Sequence, residues 1–357
     1  MGGYLDWFAS KIITWQKAHG RHDLPWQQNI SAYRVWLSEI MLQQTQVETV
    51  KPYFIRFLEK YPKISDLAHA STDDVLAIWT GLGYYNRARN LHKTSIIIHK
   101  DYQGAFPSCL DRLTELPGIG RSTAGAILAL SMGKRGVILD GNVKRVLSRF
   151  HVIDGYLEER ATTNALWRHA DRHTPAVETN VYTQGIMDLG ATICKRSAPA
   201  CPECPLINRC GAHQRNDATK IPRRKPKRKK PVKDRLFFVI CNEEKEVIVE
   251  KREESGVWAG LWSPPERCKE YSLGKILEEL NLHEDSVLDT ATERPIKHSF
   301  THFQIKATPI YVRVSSSACS ELGARFRWIN SDMIKKETVD VGMSALALKL
   351  IKDAPIG

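Results

Sequence analysis

Apolar residues recur every three to four positions through the first 214 residues. Leu5, Phe8, Ile12 and Trp15 form one stripe, and Val143, Val146, Leu147 and Phe150 another. That period puts each set on one face of an amphipathic helix, so residues 4–214 are expected to be mostly helical. The pattern stops over residues 221–232, where three prolines stand among basic residues with no apolar period. Such a stretch is expected to be an extended linker. Beyond it the period shortens to two. Residues 236–241 and 247–250 are rich in β-formers, and Phe303, Ile305 and Ala307 alternate with polar neighbours, as half-buried strands do. Residues 344–351 return to helical spacing. The expected fold class is multidomain: an all-α region over 1–214, a basic linker over 215–235 and an α+β domain over 236–357.

Composition agrees with two folded domains. The chain has 357 residues, 42% apolar and 26% charged, which excludes a wholly disordered protein. Its richest apolar stretch, residues 124–132, is too short to span a bilayer. Residues 1–11 carry Asp6 and no apolar core, unlike a secretory signal or a myristoylation site. A soluble cytoplasmic protein, nucleoid-associated if bacterial, is expected. Lysine and arginine outnumber aspartate and glutamate 52 to 40, a net charge of +12. Residues 220–235 hold ten basic residues and one acidic, a local +9. That concentration points to a polyanionic partner. Composition leaves a solvated tether, a DNA contact and a nuclear-import signal all open for the segment.

Four of the eight cysteines, Cys194, Cys201, Cys204 and Cys210, fall in a C-x6-C-x2-C-x5-C run. The others, Cys109, Cys241, Cys268 and Cys319, are scattered, which argues against a disulfide framework. Four neighbouring thiolates suit one metal centre, either zinc or a 4Fe-4S cluster. Zinc ribbons usually join two C-x-x-C pairs, and a single pair favours the cluster. Lys195 and Arg196 sit between the first two cysteines, so the centre also suits bracing of a basic loop against DNA.

Leu116-Pro117-Gly118-Ile119-Gly120 precedes a small-residue helix. A helix, a P-G-x-G turn and a second helix form a helix–hairpin–helix pattern. Glycines admit a phosphate close to the backbone, and the second helix's amides and dipole favour the anion. Further on, an apolar strand-like run, residues 137–139, ends at Asp140 before the helical pattern of residues 143–150. Asp140 is a natural N-cap, a role compatible with facing an active site.

The order of helix–hairpin–helix, Leu139-Asp140-Gly141-Asn142-Val143 and cysteine run resembles the endonuclease III superfamily of DNA glycosylases. Residues 36–46 (W-L-S-E-I-M-L-Q-Q-T-Q), residues 81–89 (G-L-G-Y-Y-N-R-A-R) and Leu24-Pro25-Trp26 resemble, within it, the MutY adenine glycosylase family. The resemblance spans essentially the whole chain, with a MutT-like domain over residues 236–357. It implies a monomeric base-excision repair enzyme that binds double-stranded DNA and removes adenine opposite 8-oxoguanine, and also opposite guanine. It implies a 4Fe-4S cluster on the four cysteines and no membrane partner. The alternative is an endonuclease III-like glycosylase/lyase for oxidised pyrimidines. Where that branch carries a nucleophilic lysine this chain has Ser122, and a hydroxyl cannot form a Schiff base. Lys144, close to Asp140 in sequence, leaves minor imine side reactions conceivable.

The resemblance also assigns residues. Glu39 is the general acid at adenine N7, worth about 10²–10⁴-fold in rate. Asp140 faces the oxocarbenium-like sugar, and Asn142 orients the site. Trp26, Leu42, Ser122 and Gln184 line the adenine pocket. Gln44 and Tyr84 wedge at 8-oxoguanine once the adenine is flipped out. Gly118, Gly120, Lys144 and Arg196 meet the DNA backbone. Phe300-Thr301-His302 matches a family F-S-H loop that probes 8-oxoguanine, with threonine in place of serine. The C-terminal domain lacks the R-E-x-x-E-E helix of a Nudix hydrolase, so it is expected to be a recognition module.

Overall fold

The computed structural model describes residues 5–223, 225–226, 229–316, 322–336 and 340–354. Cys319 and residues 224, 227 and 228 of the basic segment lie outside them. Among the described residues, no helix is long and apolar enough to cross a membrane. The chain divides into two compact units: Met1–His69 with Asn90–Lys227, and Ala70–Arg89 with Arg228–Gly357.

The first unit is helical: α1 (Trp7–His19), α2 (Ala32–Leu42), α3 (Val47–Lys60) and α4 (Ile64–His69) precede the excursion into the second unit. That excursion holds α5 (Thr72–Ile78), and α6 (Asn86–Asp101) leads out of it. Then come α7 (Leu110–Thr114), α8 (Arg121–Met132), α9 (Gly141–His151), α10 (Arg160–His173), α11 (Thr179–Asp188) and α12 (Gly211–Gln214). Asp6 caps α1 by accepting the Ala9 amide at 2.7 Å, and Ser31 caps α2 through the Arg34 amide. The apolar stripes meet in one core, where Phe8, Ile12 and Trp15 of α1 join Val143, Val146 and Leu147 of α9.

The run before Asp140 is not a strand. Residues 134–140 have no sheet partner and belong to no helix. They lie on α8 by a close backbone approach: a Cβ on Gly125 would meet the Val137 carbonyl oxygen at 2.1 Å, and one on Gly136 would meet that of Gly125 at 2.1 Å. Only glycine fits such a contact. Ser122 Oγ accepts the Leu139 amide at 2.9 Å, satisfying a donor that a missing strand leaves unpaired. Three small residues of α8 and its neighbour thus set the height at which Asp140 enters α9.

The start of the basic segment is pinned to the helical unit. Ile221 is buried, its carbonyl accepts from Arg149 Nε at 2.9 Å, and Arg223 pairs with Asp154.

The second unit is built on a mixed eight-stranded sheet. Its strands are β1 (Val232–Asn242), β2 (Glu246–Lys251), β3 (Trp262–Ser263), β4 (Glu266–Cys268), β5 (Val287–Thr292), β6 (Ile296–Ser299), β7 (Gln304–Val314) and β8 (Phe326–Asn330). The main path runs β3-β2-β1-β7-β5. Strands β1 and β7 pair in parallel, with Leu236 opposite Thr308, and the other pairings between the described strands are antiparallel. Helices α13 (Leu273–Glu279), α14 (Ser331–Lys335) and α15 (Ala345–Lys352) complete it. Alternate residues of β1 face opposite cores. Phe237 and Val239 pack with Leu346 and Leu350 of α15, and Phe238 and Ile240 with Ile276 and Leu277 of α13. Covered on both faces, β1 reads as a continuous apolar run.

Candidate active site

Elements α2, α8, α11 and the N-terminus of α9 wall a cavity of about 970 Å³, the size of a small-molecule site. Trp26, Glu39, Leu42, Gln44, Ser122, Asp140, Asn142 and Gln184 all line it. Trp26 is buried and packs edge-on against Phe54 at 5.6 Å.

Glu39 projects from a turn of α2 otherwise closed by Trp36, Leu37, Ile40 and Met41, each buried. Burial first, and the neighbouring Asp140 second, push its carboxyl from 4.5 up to about 8. Asp140 is raised by burial as well, but the amides of Val143 and Asn142 and the charge of Arg145 act against the rise. Its carboxylate caps α9 on the Val143 amide at 2.8 Å. Both carboxyls of the cavity are therefore raised by burial, and only Asp140 has amides and a cation that act against the rise.

Two residues that the resemblance assigns to the opposite base sit in strained backbone. Gln44 (φ 57°) and Tyr84 (φ 51°) occupy the left-handed region, which costs a non-glycine residue about 1–3 kcal/mol. Tyr84 is 51% exposed, whereas Tyr85 is buried and donates its hydroxyl proton to the Met343 carbonyl. Tyr84 belongs to the second unit, with Arg87 over its ring at 5.5 Å.

The Pro117–Gly120 turn joins α7 to α8. Gly118 is exposed with φ 78°, and a Cβ there would press on Asn90 at 2.8 Å. Gly120 caps α8 with ordinary backbone angles, and open space surrounds the position a Cβ would take. Lys144 is half-buried on α9, and Arg196 is exposed in the cysteine loop.

Cys194 follows a π-helical turn, Leu189–Ile193, at the end of α11. Cys201 opens one 3-10 turn and Cys210 follows another. Burial raises the thiols of Cys201 and Cys210 and pushes Cys204 to about 12. Half-buried thiols gathered in one loop fit a metal centre, because coordination deprotonates a thiol outright. Arg149 Nη1 stands 3.2 Å from Cys194 Sγ and donates to the carbonyls of Cys194 and Lys195, while Nη2 donates to that of Arg196. One turn earlier, Arg145 bonds the carbonyls of Cys194 and Gly190 and Asn142 Oδ1, each at 2.7 Å.

Phe300, Thr301 and His302 lie in the second unit, where the β6–β7 hairpin turns through the Phe300 amide and Phe303 carbonyl at 2.9 Å. Phe300 stacks on Phe303 at 4.6 Å and meets Trp258 edge-on. Thr301 and His302 are exposed at the tip. Two acidic side chains at or near α13 are taken up by arginines: Glu279 pairs with Arg267 and Arg325, and Glu250 with Arg267.

Sequence reasoning missed the support around this cavity. Asp188, fully buried, holds Arg21 through Nε at 2.9 Å and orients Gln184 at 2.9 Å. Arg145 and Arg149 carried a usable signal, as two arginines one turn apart on the helix that Asp140 opens.

Residues 37–171 match the HhH-GPD superfamily base excision DNA repair protein family, and residues 236–352 the NUDIX domain. The adenine DNA glycosylase of Buchnera aphidicola subsp. Schizaphis graminum is 39% identical over 308 residues, 86% of this chain and 88% of that protein. The adenine DNA glycosylase of Buchnera aphidicola subsp. Acyrthosiphon pisum is 41% identical over 310 residues, 86% and 87% of the two chains. Among solved structures, a thermostable thymine-DNA glycosylase superposes with TM-score 0.51 at 27% identity, covering 58% of this chain and 95% of that one. The helical unit is thus an endonuclease III-like HhH-GPD glycosylase fold, and the sheet unit a Nudix domain. With its cavity, paired carboxyls and this similarity, the chain belongs to the adenine DNA glycosylase family of base-excision repair enzymes.

Proposed function

We propose that the enzyme removes adenine from double-stranded DNA in which adenine stands opposite 8-oxoguanine or guanine. The observation that carries this reading is the pair Glu39 and Asp140 on one cavity, the first pushed up to about 8. Adenine anion is a poor leaving group. Protonated Glu39 donates to N7 as the N-glycosidic bond breaks. Asp140, whose carboxylate the Val143 and Asn142 amides and Arg145 favour against burial, stabilises the oxocarbenium-like sugar. Asn142, tied to Arg145 at 2.7 Å, keeps that end of the cavity in register. Ser122 is engaged by the Leu139 amide and offers no amine for strand cleavage, so water completes the reaction.

Trp26, Leu42 and Gln184 receive the flipped base, at an unstacking cost of a few kcal/mol. Gln44 and Tyr84, set in outlying backbone, fill the helix near the opposite base. Thr301 and His302 on the hairpin tip read that base, with Phe300 as their anchor. Gly118, Gly120, Lys144 and Arg196 hold phosphates, a contact that ignores sequence. Cys194, Cys201, Cys204 and Cys210 would hold a 4Fe-4S cluster, whose four iron–thiolate bonds would cross-link their loop. The test is single-turnover excision on 8-oxoguanine:A, G:A and thymine-glycol duplexes. Adenine release from the first two, with the DNA strand left uncut, is expected. Turnover of thymine glycol alone would overturn the reading.

A further inference from the structure

We propose that His151, His169 and His173 form a binding site for one zinc-type divalent cation, separate from the four cysteines. His151 closes α9, and His169 and His173 stand four apart on α10. Their ligating nitrogens all lie within 4.8 Å of one another. A tetrahedral zinc with nitrogens at 2.0–2.1 Å needs them about 3.3 Å apart. His151 Nε2 and His173 Nε2 are already at 2.8 Å, so one ion fits with a small opening of that pair. The rings of His151 and His169 stack at 3.7 Å. Ligation turns the His169 ring edge-on, a rotamer change its half-buried position permits.

A second observation points the same way. His173, buried, contacts the Asp6 carboxylate through Nδ1. A carboxylate on the far nitrogen fixes the tautomer, leaves Nε2 with its lone pair facing the site and raises its basicity, as in metal-ligating histidines. Phe8 stacks on the same ring at 4.2 Å and limits its rotation. Burial lowers all three imidazoles, His151 to about 3, which favours the neutral rings that ligate; the Nε2–H that His151 donates to His173 Nε2 moves to His151 Nδ1 when an ion binds.

Arg168 and Arg172 also act on this cluster. Positive neighbours work against hard cations held by charge alone, and the all-imidazole donor set suits zinc, copper or nickel over magnesium or calcium. Three protein ligands leave a fourth position for water. Bound there, the ion ties the C-terminal end of α9 to α10 and, through Asp6, to the cap of α1. Asp140 opens the same α9, so the ion anchors the far end of the helix that carries the proposed catalytic carboxylate.

The test uses untagged full-length protein with its cysteine centre as isolated. The protein is dialysed against chelator and titrated with zinc chloride by calorimetry, and thermal melting is followed with and without zinc. Wild type should bind one equivalent that His169→Ala lacks, and zinc should raise the melting temperature of wild type only. Asp6→Asn keeps the α1 cap, since asparagine caps as well as aspartate, and should weaken that equivalent about 10–100-fold. Equal zinc uptake by wild type and His169→Ala, or no such equivalent in wild type, overturns the proposal. So does Asp6→Asn binding zinc as tightly as wild type.

Discussion

Replacing Glu39 by glutamine should inactivate the enzyme and stabilise it in the same stroke. Glutamine keeps the shape and the hydrogen-bonding arm but has no acidic proton. Excision should fall by about 10²–10⁴-fold, with duplex binding retained. The stability effect follows from the carboxyl being pushed from 4.5 to about 8. Between those values the folded protein keeps a proton that the unfolded chain has lost. Wild-type stability therefore declines as pH rises through that window, by about 1.4 kcal/mol per pH unit at most. Above about 8 both states are ionised and the decline stops. Glutamine does not titrate, so the variant escapes the decline. By pH 7 the ceiling on its advantage is about 3 kcal/mol. Glu39 faces a water-accessible cavity, and screening there trims this to about 1–2 kcal/mol, or about 2–8 °C in melting temperature for a unit of this size. Calorimetric melting of both proteins at pH 5, 7 and 8.5 reads it directly. An advantage that stays constant with pH, or shrinks, refutes the assignment of a raised carboxyl. So does a variant whose single-turnover rate stays within tenfold of wild type.

Three further outcomes are expected. Gly125→Ala drives a Cβ into the Val137 carbonyl oxygen at 2.1 Å; it should cost about 1–3 kcal/mol by denaturant unfolding and lower excision by displacing Asp140, and a variant with unchanged stability and rate would contradict the packing argument. Joint replacement of Thr301 and His302 by alanine should leave adenine excision opposite guanine intact and reduce the preference for 8-oxoguanine about 5- to 150-fold, the loss expected of a base-edge contact; unchanged preference in competition assays would remove the hairpin tip from recognition. Anaerobically purified protein should contain about four irons per chain and absorb in the visible, as four cysteine ligands of one cluster require; stoichiometric zinc with no visible band would reassign the cysteine centre.

The elements with a clean period were legible in the sequence. Strands β1 and β7 and helices α1 and α9 follow apolar spacings that elementary geometry converts into buried faces. The 137–140 run misled because β-formers mark a part-buried segment outside a helix, and that is what the segment is. Its partner is a helix at two glycines and not another strand. The roles of Glu39 and Asp140 came from motif resemblance, since a lone glutamate or aspartate on a helix has no periodic signature. The contacts that hold the cavity were out of reach. Arg21 and Asp188 are 167 positions apart, as are Asp6 and His173, and no local pattern records such a pairing. Ile221 and Arg223 read as linker because proline and charge dominate their neighbourhood, whereas their partners Arg149 and Asp154 lie about seventy residues away.

Helix α9 carries Asp140 at its entrance, Arg145 and Arg149 along one face and His151 at its end. Inheritance cannot treat such a helix as it treats a loop. One inserted residue turns everything downstream by about 100° and advances it about 1.5 Å, parting the aspartate from both arginines at once. A four-residue insertion still leaves a turn of about 40° and a displacement of about 6 Å. Substitutions can drift through the exposed positions of α9, while insertions and deletions there are closed to the lineage. Descendants of this gene should therefore vary in length on either side of these eleven residues and not within them.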